Sequence, residues 1–164
     1  MIMLVLAILL APAAAVAQTF PKFANFVVDQ ANIIPPADEA RLNRTLADLQ
    51  RRTRHQLAIA TVPSLQGLAV NDYSIRLARL WGLGRKRYND GVLILVAPNE
   101  HKVRIEVGYG LEATLTDPRC SIIIQQTMLP LFIKGDFSGG INAGTRAIIA
   151  RLNTAAPLEL AGQS

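Results

Sequence analysis

The sequence predicts an α/β chain, folded as a three-layer α/β/α sandwich on a small mixed β-sheet. Three observations carry that expectation. Two short apolar runs, Leu57-Ala58-Ile59-Ala60-Thr61-Val62 and Val92-Leu93-Ile94-Leu95-Val96, read as strands buried on both faces. The segment between them carries Tyr73, Leu77, Leu80 and Trp81 at helical spacing, so the three pieces form a βαβ unit with parallel strands. A third run, Val103-Arg104-Ile105-Glu106-Val107, alternates apolar and charged residues as an edge strand does.

Taken in chain order, residues 1–17 carry no charged side chain. The apolar run Val5-Leu6-Ala7-Ile8-Leu9-Leu10 leads through Pro12 to Ala15-Val16-Ala17. A hydrophobic stretch ending in a small-x-small triplet reads as a secretory signal cut after Ala17, although the usual basic start is missing. An uncleaved membrane anchor fits less well, because Pro12 interrupts a stretch already at the short end for a spanning helix. The mature chain is therefore expected outside the cytoplasm, periplasmic or secreted.

Residues 18–26 form an extended lead-in, and the folded domain is expected over residues 27–153. Pro35-Pro36 starts a helix over residues 37–52, with Leu42, Leu46 and Leu49 on its inner face. Asp38 and Glu39 lie in its first turn and Arg51 and Arg52 in its last, as the helix dipole favours. Residues 72–81 form the crossover helix, stopped by Gly82 and Gly84. Asp117-Pro118 reads as an N-cap followed by proline at the first helical position, opening a helix through Met128 that Pro130 ends. After the 134–140 turn a last helix runs from about Ile141 to Leu152, and residues 154–164 read as a frayed tail.

At 164 residues the chain is the size of one ordinary domain. Half of the sequence is hydrophobic (51%), which excludes a disordered chain. The formal charge of +5 survives removal of the signal and favours anionic partners, with an anionic membrane surface or an envelope protein the expected classes. The basic residues are dispersed rather than interleaved with aromatics, so no nucleic-acid partner is expected, and no organic cofactor either. Cys120 is the single cysteine. Its apolar neighbours suit a buried small hydrophobe, and Gln126 stands where a thiol phosphatase would need a phosphate-gripping Arg. Gly108-x-Gly110-x-x-Ala113 has dinucleotide-fingerprint spacing, but the next helix begins too late for its N-terminus to meet a phosphate. His55 and His101 lack metal-ligand spacing to another candidate.

The hairpin brings the unusual residues together. With residues 98–102 as its loop, Ala97 opposes Val103, and outward pairing sets Val92 against Gly108, Gly91 against Tyr109 and Asp90 beside Gly110. Two glycine corners and a carboxylate thus meet at one end of the sheet, with Glu112 and Asp117 within reach of the same rim. Gly91, Gly108 and Gly110 are the turn residues that permit close backbone approach there. A plainer account stands beside this one. Asn89-Asp90-Gly91 is then a turn, Asp117 a helix cap, and Glu106 the partner of Arg104.

The ordered motifs Val28-Asp29-Gln30-Ala31-Asn32-Ile33-Ile34, Trp81-Gly82-Leu83-Gly84, Asn89-Asp90-Gly91-Val92, Val103-Arg104-Ile105-Glu106-Val107-Gly108-Tyr109-Gly110-Leu111-Glu112 and Leu115-Thr116-Asp117 resemble the TPM domain family. The resemblance spans residues 26–152. It implies an extracytoplasmic α/β/α sandwich, an acidic site for a divalent cation (Ca²⁺ or Mg²⁺), and in some members a weak acid phosphatase activity. The metal ligands it implies are Asp29, Asp90, Glu112 and Asp117, with Glu106 a weaker candidate. Arg85, Lys86 and Arg87 are the candidate anion-binding group. Two functions follow: a cation-binding interaction module at the cell envelope, or a weak metal-dependent phosphatase. The missing nucleophile favours the module.

Overall fold

The structure, a computed structural model, describes residues 17–154. Four strands form one mixed sheet in the order β1-β2-β3-β4: Val27–Asp29, Gln56–Thr61, Gly91–Ala97 and Lys102–Val107. β1, β2 and β3 are parallel, and β4 returns antiparallel to β3 at the edge. The βαβ unit and the edge hairpin are as the hydrophobic pattern requires. β1 is not among the three expected strands, because three residues are too few to display a period.

The strand period of two divides the core cleanly. Leu57, Ile59, Val92, Ile94, Val96 and Ile105 face α1 (Pro36–Thr53), the 117–133 helical region and α5 (Phe137–Thr154). Ala58, Ala60, Leu93, Leu95 and Ala97 face α2 (Val70–Trp81) on the other side. The alanines at positions 58 and 60 leave room for the bulky Tyr73 and Trp81 that α2 lays over them. α2 alone is too narrow to cover this face, and the lead-in completes the layer. Phe20 packs on the Tyr73 ring, Phe23 lies against Trp81, and Trp81 Nε1 donates to the Pro21 carbonyl at 2.8 Å. The inner stripe of α2 centres on Tyr73, Leu77 and Trp81. Leu80, expected with them, lies on the flank and is 64% exposed.

Four further details differ from expectation. The hairpin loop is four residues, so Ala97 pairs with Lys102 and Val92 with Val107, one position from the expected register. His101 absorbs the tighter turn with a left-handed φ of 52°. The cap of α3 (Asp117–Ile122) is Thr116, whose side chain accepts from Arg119 N, while Asp117 takes the first helical position. Pro130 does not end the helix. A π-helical stretch, Ile123–Met128, widens the turn so that Leu129 N–H bonds to the Ile124 carbonyl, and α4 (Leu129–Ile133) carries the proline in its opening turn. There its missing N–H costs little. Finally, α5 begins at Phe137, four residues early, because the Asp136 carboxylate accepts from Gly139 N at 2.8 Å and starts the helix. Among the described residues no helix is long and apolar enough to cross a membrane.

Candidate functional site

The two glycine corners do meet. Gly108 N donates to the Gly91 carbonyl at 2.8 Å and Gly110 N to the Asn89 carbonyl at 3.0 Å. The backbones here are in contact with no space between them. A Cβ on Gly108 would run into the Asn89 carbonyl, and one on Gly110 into the Tyr88 carbonyl. Gly84 and Gly91 press together in the same way. Asn89 sits between these contacts with φ 47°, a left-handed conformation that asparagine tolerates better than most residues.

Beside this corner, on the α2 face, lies an open cleft of about 330 Å³. Ile75, Ala78 and Arg79 of α2 form one wall, and Glu106, Gly108, Tyr109 and Glu112 the other. The cleft exists because β4 turns charged residues toward α2 where the inner strands turn apolar ones. Glu106 is 19% exposed, and its Oε2 lies 3.1 Å from Ser74 Oγ and 3.3 Å from Arg104 Nε. Glu112 is exposed, and its carboxylate has no hydrogen-bond or ionic partner among the described residues. Tyr109 stands 79% exposed at the mouth.

Asp90 belongs to the same corner in sequence but not to the cleft. Its carboxylate is fully buried, on the side of the sheet end facing α1. Oδ1 accepts from Arg85 N at 2.7 Å, and Oδ2 accepts from Arg85 Nε and Nη2 at 2.8 and 2.6 Å. His55 Nδ1, also buried, lies 3.3 Å from Oδ2. Burial pushes the Asp90 pKa up, but the side-chain and backbone bonds from Arg85, its charge, and His55 outweigh it. The net shift is downward.

Asp29 is likewise occupied within the fold. It accepts from Ile33 N at 3.2 Å, from Ile34 N at 2.9 Å and from the Thr61 hydroxyl, which closes the loop between β1 and α1. Asp117 is 92% exposed, its nearest cation being Arg104 Nη2 at 3.9 Å. The four carboxylates implied by the family resemblance are therefore not assembled into one ligand shell, and no group of three or more His, Cys, Asp or Glu among the described residues could share an ion. Two of the four have lone pairs already committed to amides, a hydroxyl or a guanidinium. Of the basic trio, Arg85 is clamped to Asp90, with its Cζ 3.9 Å above the Tyr88 ring.

Sequence reasoning missed His55 as a partner of Asp90. The signal was present. Parallel pairing of Gln56 with Gly91 places the preceding residues, His55 and Asp90, side by side. Cys120 is buried as expected, and burial, with the Asp117 charge, pushes its thiol pKa up to about 11.

A parallel three-strand core, an antiparallel edge strand and helices on both faces define an α/β/α sandwich, with an open cleft at its glycine-stacked corner. Residues 27–151 match the TPM domain, and the chain belongs to that family. The N-terminal domain of a Porphyromonas gingivalis protein (P.gingivalis), solved by NMR, is 32% identical, with a TM-score of 0.73 over 79% of this chain and 82% of that one. Two more distant NMR structures share the fold. The N-terminal domain of a Corynebacterium glutamicum protein is 14% identical, covering 93% of this chain and 98% of that one, TM-score 0.62. The BA42 protein of Bizionia argentinensis is 16% identical, covering 77% and 86%, TM-score 0.65. No curated protein sequence matches the chain.

Proposed function

We propose that this TPM domain is an exported interaction module whose cleft between α2 and β4 holds a divalent cation that bridges to a partner. The observation that carries this reading is Glu112. It lines the cleft with Glu106 and Asn89, yet its carboxylate has no partner among the described residues. Two carboxylates and an amide oxygen fall short of the six to eight oxygens that Ca²⁺ takes, or the octahedron of Mg²⁺. Such a partial set suits an ion whose remaining positions go to water and to a partner's oxygens. Affinity for the free ion would then be in the weak, extracellular range of about 10⁻⁴–10⁻³ M. The signal-like residues 1–17 and the net charge of +5 support a place at the cell envelope, beside anionic surfaces.

The test is a Ca²⁺ titration of the mature chain followed by amide NMR shifts, in wild type, Glu112→Gln and Asp117→Asn. Saturable shifts in residues 106–112, lost in Glu112→Gln and kept in Asp117→Asn, are expected. No shift by about 10 mM Ca²⁺, an order above the weakest expected range, ends the proposal. Turnover of p-nitrophenyl phosphate that disappears in Glu112→Gln would make the cleft catalytic instead.

A further inference from the structure

On the opposite side of the same sheet end is a second polar depression, of about 310 Å³, lined by Gln50, Arg51, Arg54 and Arg85. We propose that this notch, between the C-terminal end of α1 and the 85–89 turn, is an anion site that takes a phosphoryl group.

Arg85 is the fixed element. The buried Asp90 grips its Nε and Nη2 from below, the Tyr88 ring supports its flat face, and its side chain is still 33% exposed. A guanidinium has five N–H donors. Two are committed to Asp90, so Nη1 and the second Nη2 hydrogen are left over, on a group that can hardly turn. Arg54 supplies the second donor set. It ends α1 in a left-handed conformation, φ 65°, and its side chain has neither ion pair nor hydrogen bond among the described residues. Arg51 lines the notch as well and shares Asp48 with Arg52, at 3.1 and 2.7 Å.

The negative end of the α1 dipole accounts for Arg51 and Arg52. It does not account for Arg85, which comes from another element and is oriented by a buried carboxylate. Three guanidinium groups, those of Arg51, Arg54 and Arg85, line the notch, and Arg51 shares its carboxylate, Asp48, with Arg52, so positive charge is in excess there and an anion would be neutralised. Three terminal oxygens on a tetrahedral phosphoryl group can engage several guanidinium forks at once, whereas a single carboxylate fills only one. Nothing in this assignment involves the cleft beneath α2, and binding here requires no metal.

The experiment uses the mature chain at low ionic strength. Inorganic phosphate is titrated calorimetrically, and vesicles of phosphatidic acid are compared with phosphatidylcholine by co-sedimentation. Arg54→Gln removes donors without touching the Asp90 pair, and Arg44→Gln removes one exposed charge elsewhere on α1. Saturable phosphate binding that falls about tenfold in Arg54→Gln and holds in Arg44→Gln is expected, the loss of a charge-assisted hydrogen bond being of that size. Saturation by free phosphate identifies a soluble ligand; binding only to phosphatidic acid, with the same Arg54 dependence, identifies a lipid headgroup. No binding of either probe, or equal loss in both variants, overturns the assignment. Glu112→Gln leaves this binding unchanged, so the outcome is separable from that of the cation titration.

Discussion

Replacing either member of the Asp90–Arg85 pair tests how the corner is built, and the two replacements should differ. Arg85→Gln leaves a carboxylate at 0% exposure with only His55 and the Arg85 amide as polar partners. Removing one side of a buried pair costs about 3–5 kcal/mol. Asp90→Asn is milder, because Arg85 is one-third exposed and can turn its charge to water. The amide oxygen still accepts one bond, so about 2–3 kcal/mol is expected, the worth of the charged hydrogen bonds lost. Combining the two should cost clearly less than the sum, since the second change removes the group that the first left stranded. Urea unfolding followed by the fluorescence of Trp81, the sole tryptophan, reads all three. With a slope of about 1.5–2 kcal/mol/M, Arg85→Gln should lower the midpoint by roughly 2 M. The pH dependence gives a further check. The Asp90 pKa is lowered in the folded state, so its stabilisation is complete above the unfolded value of about 3.9 and disappears as pH falls through the lower folded value. The gap between wild type and Asp90→Asn should therefore stay constant from neutral pH down to about 5 and close only below about 4. Asp90→Asn within 0.5 kcal/mol of wild type, or additive single variants, would refute the reasoning, taking about 0.5 kcal/mol as the bound for independent sites.

Two other outcomes follow from the corner and the core. Gly110→Ala should cost about 2–3 kcal/mol, because its Cβ meets the Tyr88 backbone and neither chain can give way. Gly67→Ala, with φ +80° and open space around the new Cβ, should cost only about 1–2 kcal/mol of backbone strain; equal melting temperatures for the two would contradict the close-contact account. Cys120, buried and with its pKa raised to about 11, should resist a thiol reagent at pH 8 in the folded protein and react at once in denaturant. Labelling of native protein within seconds would contradict that burial.

The layers of this fold were legible because apolar runs and helical stripes repeat over enough residues to show a period. Leu57 to Val62 and Val92 to Val96 could hardly be anything but inner strands. β1 was not legible, since Val27 and Val28 are edge residues in a segment too short for a pattern. Pro130 misled because a proline's usual effect on an α-helix was relieved by a π-turn that only packing selects. The site was partly legible. Glycine positions fixed the meeting of the two corners even with the register one residue off, because backbone contact depends on place and not on pairing parity. The destination of each carboxylate was not legible. Asp90 and Glu112 lie near one corner, yet one faces α1 under Arg85 and the other the cleft beside α2. That choice depends on side-chain direction and on partners as distant in sequence as His55.

The lead-in over α2 constrains any cleavage at the expected point after Ala17. Thr19 N donates to Gln66 Oε1 at 2.9 Å, Arg76 Nη1 to Gln18 Oε1 at 2.9 Å, and Trp81 to the Pro21 carbonyl. Among the described residues, packing is thus in place from the residue after the expected cleavage point, eight or nine positions ahead of the homologous region starting at Val27. A peptidase needs an extended stretch of backbone on both sides of its bond, and Gln18 and Thr19 are already held by the folded layer. Processing would then have to act while α2 is still undocked, so that release from the leader and closure of this face compete in time. A chain truncated to Val27 would keep every family motif and lose the cover over Trp81.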